Sequence, residues 1–211
     1  MCELFALNSR QPAAATFSLS GFAARGGRTA DHVDGWGVAF HEGERCTVTV
    51  EDTPAAESAL ARHLAQHPVR ARNILAHIRK ATQGARTLEN CHPFRRDWAG
   101  RTWVFAHNGC LKDFHPALDG SFTPAGQTDS ERAFCWLMQE LAKAHADMPA
   151  IEELNHTLRE LLPQLNRHGT FNMLLSNGQA LWAHGSTKLH YLLRRPPFGR
   201  VRLRDEDLSM D

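Results

Sequence analysis

Apolar and polar positions along the chain change period several times, and each change marks an element. Cys2–Leu7 is apolar and β-rich enough for a first strand, and Thr16–Ala24 reads as a short helix closed by Gly26-Gly27. Gly37–Phe40 and Cys46–Val50 read as strands around a turn at His41-Glu42-Gly43-Glu44. Ala55–Gln66 is rich in Ala, with Leu60 and Leu64 one helical turn apart, and predicts an amphipathic helix. Asn73–Ile78 and Trp103–Ala106 read as strands that run into the polar clusters His77-Ile78-Arg79 and His107-Asn108-Gly109.

Thr128-Asp129-Ser130-Glu131 has the S/T-x-x-E form of a capping box. It predicts a helix through about Ala144, with Phe134, Leu137, Met138 and Leu141 on one face. Ile151–Leu165 is a second helix on Leu154, Leu158, Leu161 and Leu162. Thr170–Leu175, Ala180–Ala183 and Lys188–Leu193 read as three closing strands, the first two joined at Asn177-Gly178. Two batches of strands around a central helix pair do not give the regular βαβ alternation of a doubly wound sheet. They predict an α+β protein with packed antiparallel sheets and outer helices.

Length and charge narrow this picture. The chain has 211 residues against a usual domain of roughly 150, with no linker or repeat, so one domain over 1–211 is expected. Its 24 Lys+Arg and 23 Asp+Glu leave a net charge of +1, which gives no general attraction for nucleic acid or an anionic membrane. No apolar run is long enough to cross a bilayer and no basic-then-apolar leader opens the chain, so a cytoplasmic protein is expected. Five cysteines without a CxxC pair, and 13 scattered histidines without HExxH, predict neither a disulfide framework nor a metal cage. No cofactor is expected.

The candidate chemistry begins at Cys2. Methionine is trimmed ahead of small residues, and its removal leaves a residue carrying both a nucleophilic thiol and an amine with a pKa near 7.7–8.0. Such an amine can take and return a proton near neutral pH. Arg79 ends an apolar strand with Thr82 three residues on; its planar fork suits a carboxylate, and the hydroxyl adds a further bond. The Asn108 amide and the Gly109 N–H can converge on one oxygen as an oxyanion hole, although Asn-Gly is also a common turn dipeptide. Asp129 can be a helix-start carboxylate, a site for a substrate ammonium, or both. Trp36, between two glycines, can be an aromatic wall or a core residue. His107 has no adjacent Asp to orient it as a base.

Taken together and in order, Cys2, Asp34-Gly35-Trp36-Gly37, His77-Ile78-Arg79-Lys80-Ala81-Thr82, Asn90-Cys91-His92-Pro93-Phe94, His107-Asn108-Gly109 and Thr128-Asp129-Ser130-Glu131 resemble the class II glutamine amidotransferases, which are N-terminal nucleophile hydrolases. The resemblance runs through essentially the whole chain and is closest to the stand-alone YafJ-like members. It implies a four-layer αββα sandwich. It implies a Cys2 nucleophile with its own amine as base, and an oxyanion hole at Asn108 and Gly109. Arg79 and Thr82 would bind the α-carboxylate of glutamine or a γ-glutamyl compound and Asp129 the α-ammonium; apart from the resemblance, Trp36 and His107 are counted as candidate substrate-binding residues. The implied reaction releases ammonia or an amine through a thioester.

The sequence departs from the family in three places. Gln83 stands where many relatives have His. No ammonia-consuming domain follows, so a synthase partner, like a homodimer, is left open. Similar proteins continue past Asp211, which suggests a shortened C-terminus. Two other readings compete with the amidohydrolase: a binding or regulatory subunit that has lost turnover, and a papain-like hydrolase using Cys91 or Cys110.

Overall fold

The computed structural model describes residues 2–43, 45–82, 84–197, 199–203 and 209–210. Met1 and Gln83, which the sequence singled out, lie outside them, as do residues 204–208 and Asp211. Among the described residues, two four-stranded antiparallel sheets and four α-helices, with one two-stranded pair near the C-terminal end, make up the α+β fold.

The first sheet holds β1 (Glu3–Ala14), β2 (Trp36–Glu42), β3 (Arg45–Glu51) and β4 (Arg70–Ile78), in the order β1-β4-β2-β3. Against it pack α1 (Thr16–Ala24) and α2 (Ala59–Gln66), through Leu19, Phe22 and Leu64 onto Val38, Phe40, Ile74 and Ile78. The predicted Ala55–Gln66 helix is split: a 3₁₀ turn covers Ala55–Glu57, and α2 begins only after Ser58, whose hydroxyl accepts the Ala61 N–H at 3.0 Å.

The second sheet holds β5 (Phe94–Trp98), β6 (Arg101–Leu111), β7 (Gly169–Ser176) and β8 (Leu181–His184), paired in chain order. Its outer face carries α3 (Asp129–Ala144) and α4 (Ile151–Asn166), with Trp103, Phe105, Phe134, Leu137, Leu154 and Phe171 in a shared core. A third apolar cluster draws Ala39 and Leu75 from the first sheet and Val104, Ala106 and Leu174 from the second, so the two sheets pack on one another. Asn73 ties them at one end, its side chain donating to the Gly178 carbonyl at 2.9 Å across the β7–β8 turn.

Several expectations are corrected. The strand read at Trp103–Ala106 runs on through Leu111, so Asn108-Gly109 is no turn: Asn108 faces Asn172 and Gly109 faces Phe171 in an unbroken ladder. Gly109 permits this because a Cβ there would fall on the Thr170 carbonyl. That strand also joins the late strands rather than the early ones, across α3 and α4. β5 was not anticipated; its Arg-Arg-Asp stretch is polar because an edge strand faces water on one side. Lys188–Leu193 forms no strand: Tyr191, Leu192 and Leu193 are exposed and pair with no sheet. The two-residue strands β9 (Val201–Arg202) and β10 (Ser209–Met210) pair only with each other.

The capping box at α3 is half formed. Thr128 Oγ1 accepts the Glu131 N–H at 3.2 Å, but the Glu131 carboxylate does not return to Thr128. It takes the Ala125 and Gly126 N–H groups at 3.0 and 2.7 Å and the Arg96 guanidinium at 2.7 Å. Glu131 is buried, and this ion pair clamps the 125–126 loop to β5 just ahead of Asp129. Glu131→Ala takes the acceptor from the Ala125 and Gly126 N–H groups and the carboxylate from Arg96, which keeps the Arg95 and Thr123 carbonyls, and should cost about 2–3 kcal/mol in urea unfolding. The double substitution with Arg96→Ala should recover part of that loss.

Candidate functional site

The site forms where the end of β4, the start of β1 and the far half of β6 meet. One cleft is lined by Cys2, Arg79, Thr82, Gly109 and Asp129, with His77, His92, His107 and Ser130 completing its wall. Five segments distant in sequence therefore contribute to a single cleft.

Cys2 precedes β1, and both its ends are held by one side chain. Its N–H donates to Asn108 Oδ1 at 3.1 Å, and its carbonyl accepts from Asn108 Nδ2 at 2.7 Å. An Asn amide nitrogen carries two N–H groups, so one remains beyond the bond to Cys2. The Cys2 thiol lies against the backbone of Lys80, 3.3 Å from its N–H and 3.4 Å from its carbonyl. Burial raises the thiol's pKa, with the Lys80 N–H and the Arg79 charge working against that rise. A raised thiol needs a base to ionise near neutrality, and the sulfur itself has no imidazole partner among the described hydrogen bonds.

Arg79 is 4% exposed. Its guanidinium donates to the Ala85 and Gly84 carbonyls at 3.1 and 3.2 Å. The Asp34-Gly35 segment fixes its main chain: the Arg79 N–H donates to the Gly35 carbonyl at 2.8 Å, and the Asp34 N–H donates to the Arg79 carbonyl at 3.2 Å. Asp34 also accepts the Ala81 N–H at 2.8 Å. Gly35 is required here: its φ is +112°, and a Cβ would lie 2.5 Å from Cys91 Sγ.

Asp129 opens α3. One carboxylate oxygen accepts the Leu111 N–H at 2.7 Å and the other the Ser130 N–H at 2.9 Å. Asn90, 2% exposed, staples the Arg79 loop to the Asp129 loop. Its Nδ2 donates to the Ala85 carbonyl at 2.9 Å, the same oxygen that Arg79 uses, and its Oδ1 accepts the Gln127 N–H at 3.0 Å.

With this geometry in hand, the likeness to known proteins is specific. Residues 1–211 match the family model described as glutamine amidotransferases class-II. The chain belongs to that family. It is 40% identical over 212 residues to the Escherichia coli K12 protein named "Putative glutamine amidotransferase YafJ", spanning 100% of this chain and 83% of that one. A crystal structure from Pseudomonas aeruginosa PA01, described as a predicted glutamine amidotransferase, superimposes with a TM-score of 0.73 at 33% identity, over 98% of this chain and 81% of that one. The glutamine phosphoribosylpyrophosphate amidotransferase of B. subtilis shares the fold at a TM-score of 0.57 and 18% identity, over 84% of this chain and 35% of that one.

Within this class II chain, the cleft gathers most but not all of the residues singled out from sequence. Trp36 lies outside it: the ring is buried beneath the first sheet, with Nε1 donating to Glu51 at 2.7 Å, so it is a core residue rather than a substrate wall. Thr82 lines the cleft and is exposed. His107 contributes to the wall but is held from both sides. Its Nε2 lies 3.2 Å from the Thr170 carbonyl and its Nδ1 2.8 Å from Ser130 Oγ. A carbonyl only accepts, which assigns the proton to Nε2 and makes Nδ1 the acceptor. Burial lowers its pKa despite the Asp129 charge. Cys91 points away from the cleft, its thiol on the Thr87 carbonyl at 3.4 Å and its pKa raised to about 11 by burial, which does not suit a papain-like nucleophile.

Sequence reading did not assign roles to Ser130, Asn90, His77 or His92, although each stood inside a quoted motif. Lys80 acts through its backbone, which leaves no signal in side-chain chemistry. Among the described residues no group of three or more His, Cys, Asp or Glu is placed to hold a metal ion, and no helix is long and apolar enough to cross a membrane.

The buried histidines make stability acid-sensitive. Burial lowers the His77 pKa to about 3 and that of His41 to about 4. The unfolded chain, with histidines near 6.5, binds protons that the folded chain refuses, so stability is lost as pH falls below about 6.5. Urea unfolding between about pH 6.5 and 5 should show this loss, at up to ~1.4 kcal/mol per pH unit for each such histidine. His77→Leu should make the slope shallower.

Proposed function

We propose that this class II chain is an amidohydrolase acting on glutamine or a γ-glutamyl amide through Cys2. The observation that carries the reading is the convergence of Cys2, Arg79, Gly109 and Asp129 on one cleft, with Asn108 gripping Cys2 by both its amide groups. With Met1 removed, the nitrogen held by Asn108 Oδ1 becomes the α-amine. It takes the thiol proton, and the thiolate attacks the γ-carbonyl carbon. A C–S bond forms and the oxygen becomes an anion, bonded by the Gly109 N–H and the second N–H of Asn108 Nδ2. The C–N bond then breaks as the α-ammonium returns its proton to the leaving nitrogen. Water attacks the thioester, giving its proton to the amine; the C–S bond breaks, and the acid and the free thiol result.

Arg79 with Thr82 takes the substrate α-carboxylate and Asp129 its α-ammonium. His107 stays neutral and shapes the wall beside Asp129. The layer order α1 and α2, first sheet, second sheet, α3 and α4 is read as the four-layer sandwich of N-terminal nucleophile hydrolases.

Intact mass together with ammonia release from glutamine tests the proposal. Met1 should be absent, turnover should vanish in Cys2→Ala, and an electrophilic glutamine analogue should label Cys2 alone. Labelling of Cys91 or Cys110 with Cys2 untouched overturns the mechanism. Glutamine binding by an untrimmed or inert wild-type chain favours the regulatory-subunit reading.

A kinetic split separates the roles. Arg79→Ala removes binding felt in ground and transition states alike, so KM should rise more than kcat falls. Asn108→Ala removes an oxyanion donor and the grip on Cys2, and should lower kcat by ~10²–10³ with little change in KM. Saturating glutamine should partly rescue the first variant and not the second.

A further inference from the structure

Asn172 is a buried polar residue in the otherwise apolar β7 run from Phe171 to Leu175, directly opposite Asn108. Its Oδ1 accepts the Ser186 and Thr187 N–H groups, both at 3.0 Å, and the Thr187 hydroxyl at 3.2 Å. Two backbone donors aimed at one atom identify that atom as oxygen, which makes the other the NH₂ group. That Nδ2 donates to the Asn108 carbonyl at 3.0 Å and to Thr187 Oγ1 at 2.9 Å.

The Asn108 carbonyl and the Gly109 N–H belong to one planar peptide and point in opposite directions. With the carbonyl turned toward β7, the Gly109 N–H points to the other side of β6, which β5 covers only as far as Phe105. The neighbouring N–H groups on that side show where it leads. The His107 N–H reaches His92 Nδ1 at 3.4 Å, and the Leu111 N–H reaches Asp129 at 2.7 Å. Strand alternation sets the Gly109 N–H between them, on the edge that faces the cleft Gly109 lines.

We propose that Asn172 is a positioning residue for the oxyanion hole: to the Asn108 carbonyl, which the β6–β7 ladder already turns toward β7, its side chain adds a further bond that steadies the 108–109 peptide and strengthens the Gly109 N–H as a donor. A bond accepted by the carbonyl draws electron density along the partial double bond and leaves the N–H more positive. The loop at 186–187 serves the same end from behind, because its bonds to Oδ1 prevent the carboxamide from rotating off its target. This proposal rests on the reading of Gly109 as an oxyanion donor.

The test uses the full chain and glutamine, with three readouts: steady-state kinetics, the alkylation rate of Cys2 by iodoacetamide, and the ¹H and ¹⁵N shifts of the Gly109 amide. Iodoacetamide is displaced at a saturated carbon and builds no oxyanion, so it reports the thiol alone. Asn172→Ala should lower kcat roughly tenfold, the effect of one lost hydrogen bond at a developing charge, with KM within about twofold. Alkylation should be unchanged and the Gly109 amide proton should move upfield.

If Asn172→Ala fails to fold, Asn172→Asp keeps the acceptor for the 186–187 loop while removing the donor, and the same pattern is expected with a larger loss of kcat. Thr187→Val cuts only the loop side chain from the carboxamide and should leave kcat within about twofold. An unchanged kcat or Gly109 shift in the Asn172 variants overturns the proposal, as does a kcat loss matched by an equal loss of alkylation. Wild-type protein without turnover on any γ-glutamyl amide overturns the preceding reading and this one together; wild-type turnover with an indifferent Asn172 overturns this one alone.

Discussion

Asn108 reaches across from one sheet to hold the residue that starts the other. Its oxygen takes the Cys2 N–H and its nitrogen the Cys2 carbonyl, so the residue just ahead of the first sheet is registered on β6 of the second. Chain ends are ordinarily the least ordered part of a domain. Here the terminal stretch is fixed by a two-point bond that leaves it little freedom to rotate. The thiol's place against Lys80, the cleft behind it and the proposed chemistry all depend on that grip. It exists only because the apolar layer of Ala39, Leu75, Val104, Ala106 and Leu174 holds the two sheets face to face.

Around this anchor the chain removes charge from the floor of the cleft. His77, His92 and His107 are buried side by side, with the His77 and His92 rings 4.1 Å apart between centroids. Burial lowers the pKa of each, His92 further disfavoured by its neighbour His77. Of the charged residues that line the cleft, Arg79 and Asp129 are held by backbone hydrogen bonds, while the Lys80 ammonium turns to Asp31 at 2.6 Å. In the proposed reaction, a neutral floor between Arg79 and Asp129 matches a zwitterionic substrate better than one with net charge. The cost is acid sensitivity, since every buried neutral imidazole favours the unfolded chain as pH falls.

Much of this was legible in the sequence because the elements obey simple periods. The stripe from Phe134 to Leu141 and the capping threonine placed α3 almost to the residue, and Thr16–Ala24 was read as it stands. Cys2, Arg79 and Asp129 were picked out because they sit in ordered motifs at element ends, and Asn108 because of its Asn-Gly pair, although it lies inside β6. What escaped was decided by tertiary pairing. Asn-Gly reads locally as a turn, yet β7 keeps Asn108 and Gly109 extended. Trp36 between glycines resembles an exposed aromatic, yet those glycines admit close neighbours and leave the ring in the core. Glu131 read as half of a capping box, while Arg96, far away in sequence, offered its carboxylate a better partner. Asn172 carried the one signal that pattern reading passed over: a polar side chain where a strand ought to be wholly apolar.

The Asn90 staple has a consequence for how such a cleft can change. The reacting end of the site is built on strands, where shifting one residue reverses a whole face. The two charged ends depend on loops, at 84–85 and 125–128, and a single buried carboxamide sets the gap between them. Loops accept altered lengths that strands do not. In the proposed reaction, the head of the ligand and the bond to be broken are thus gauged by separate parts of the molecule. The distance between charges can be reset by rebuilding two loops around one asparagine, with the machinery at Cys2 left where it stands.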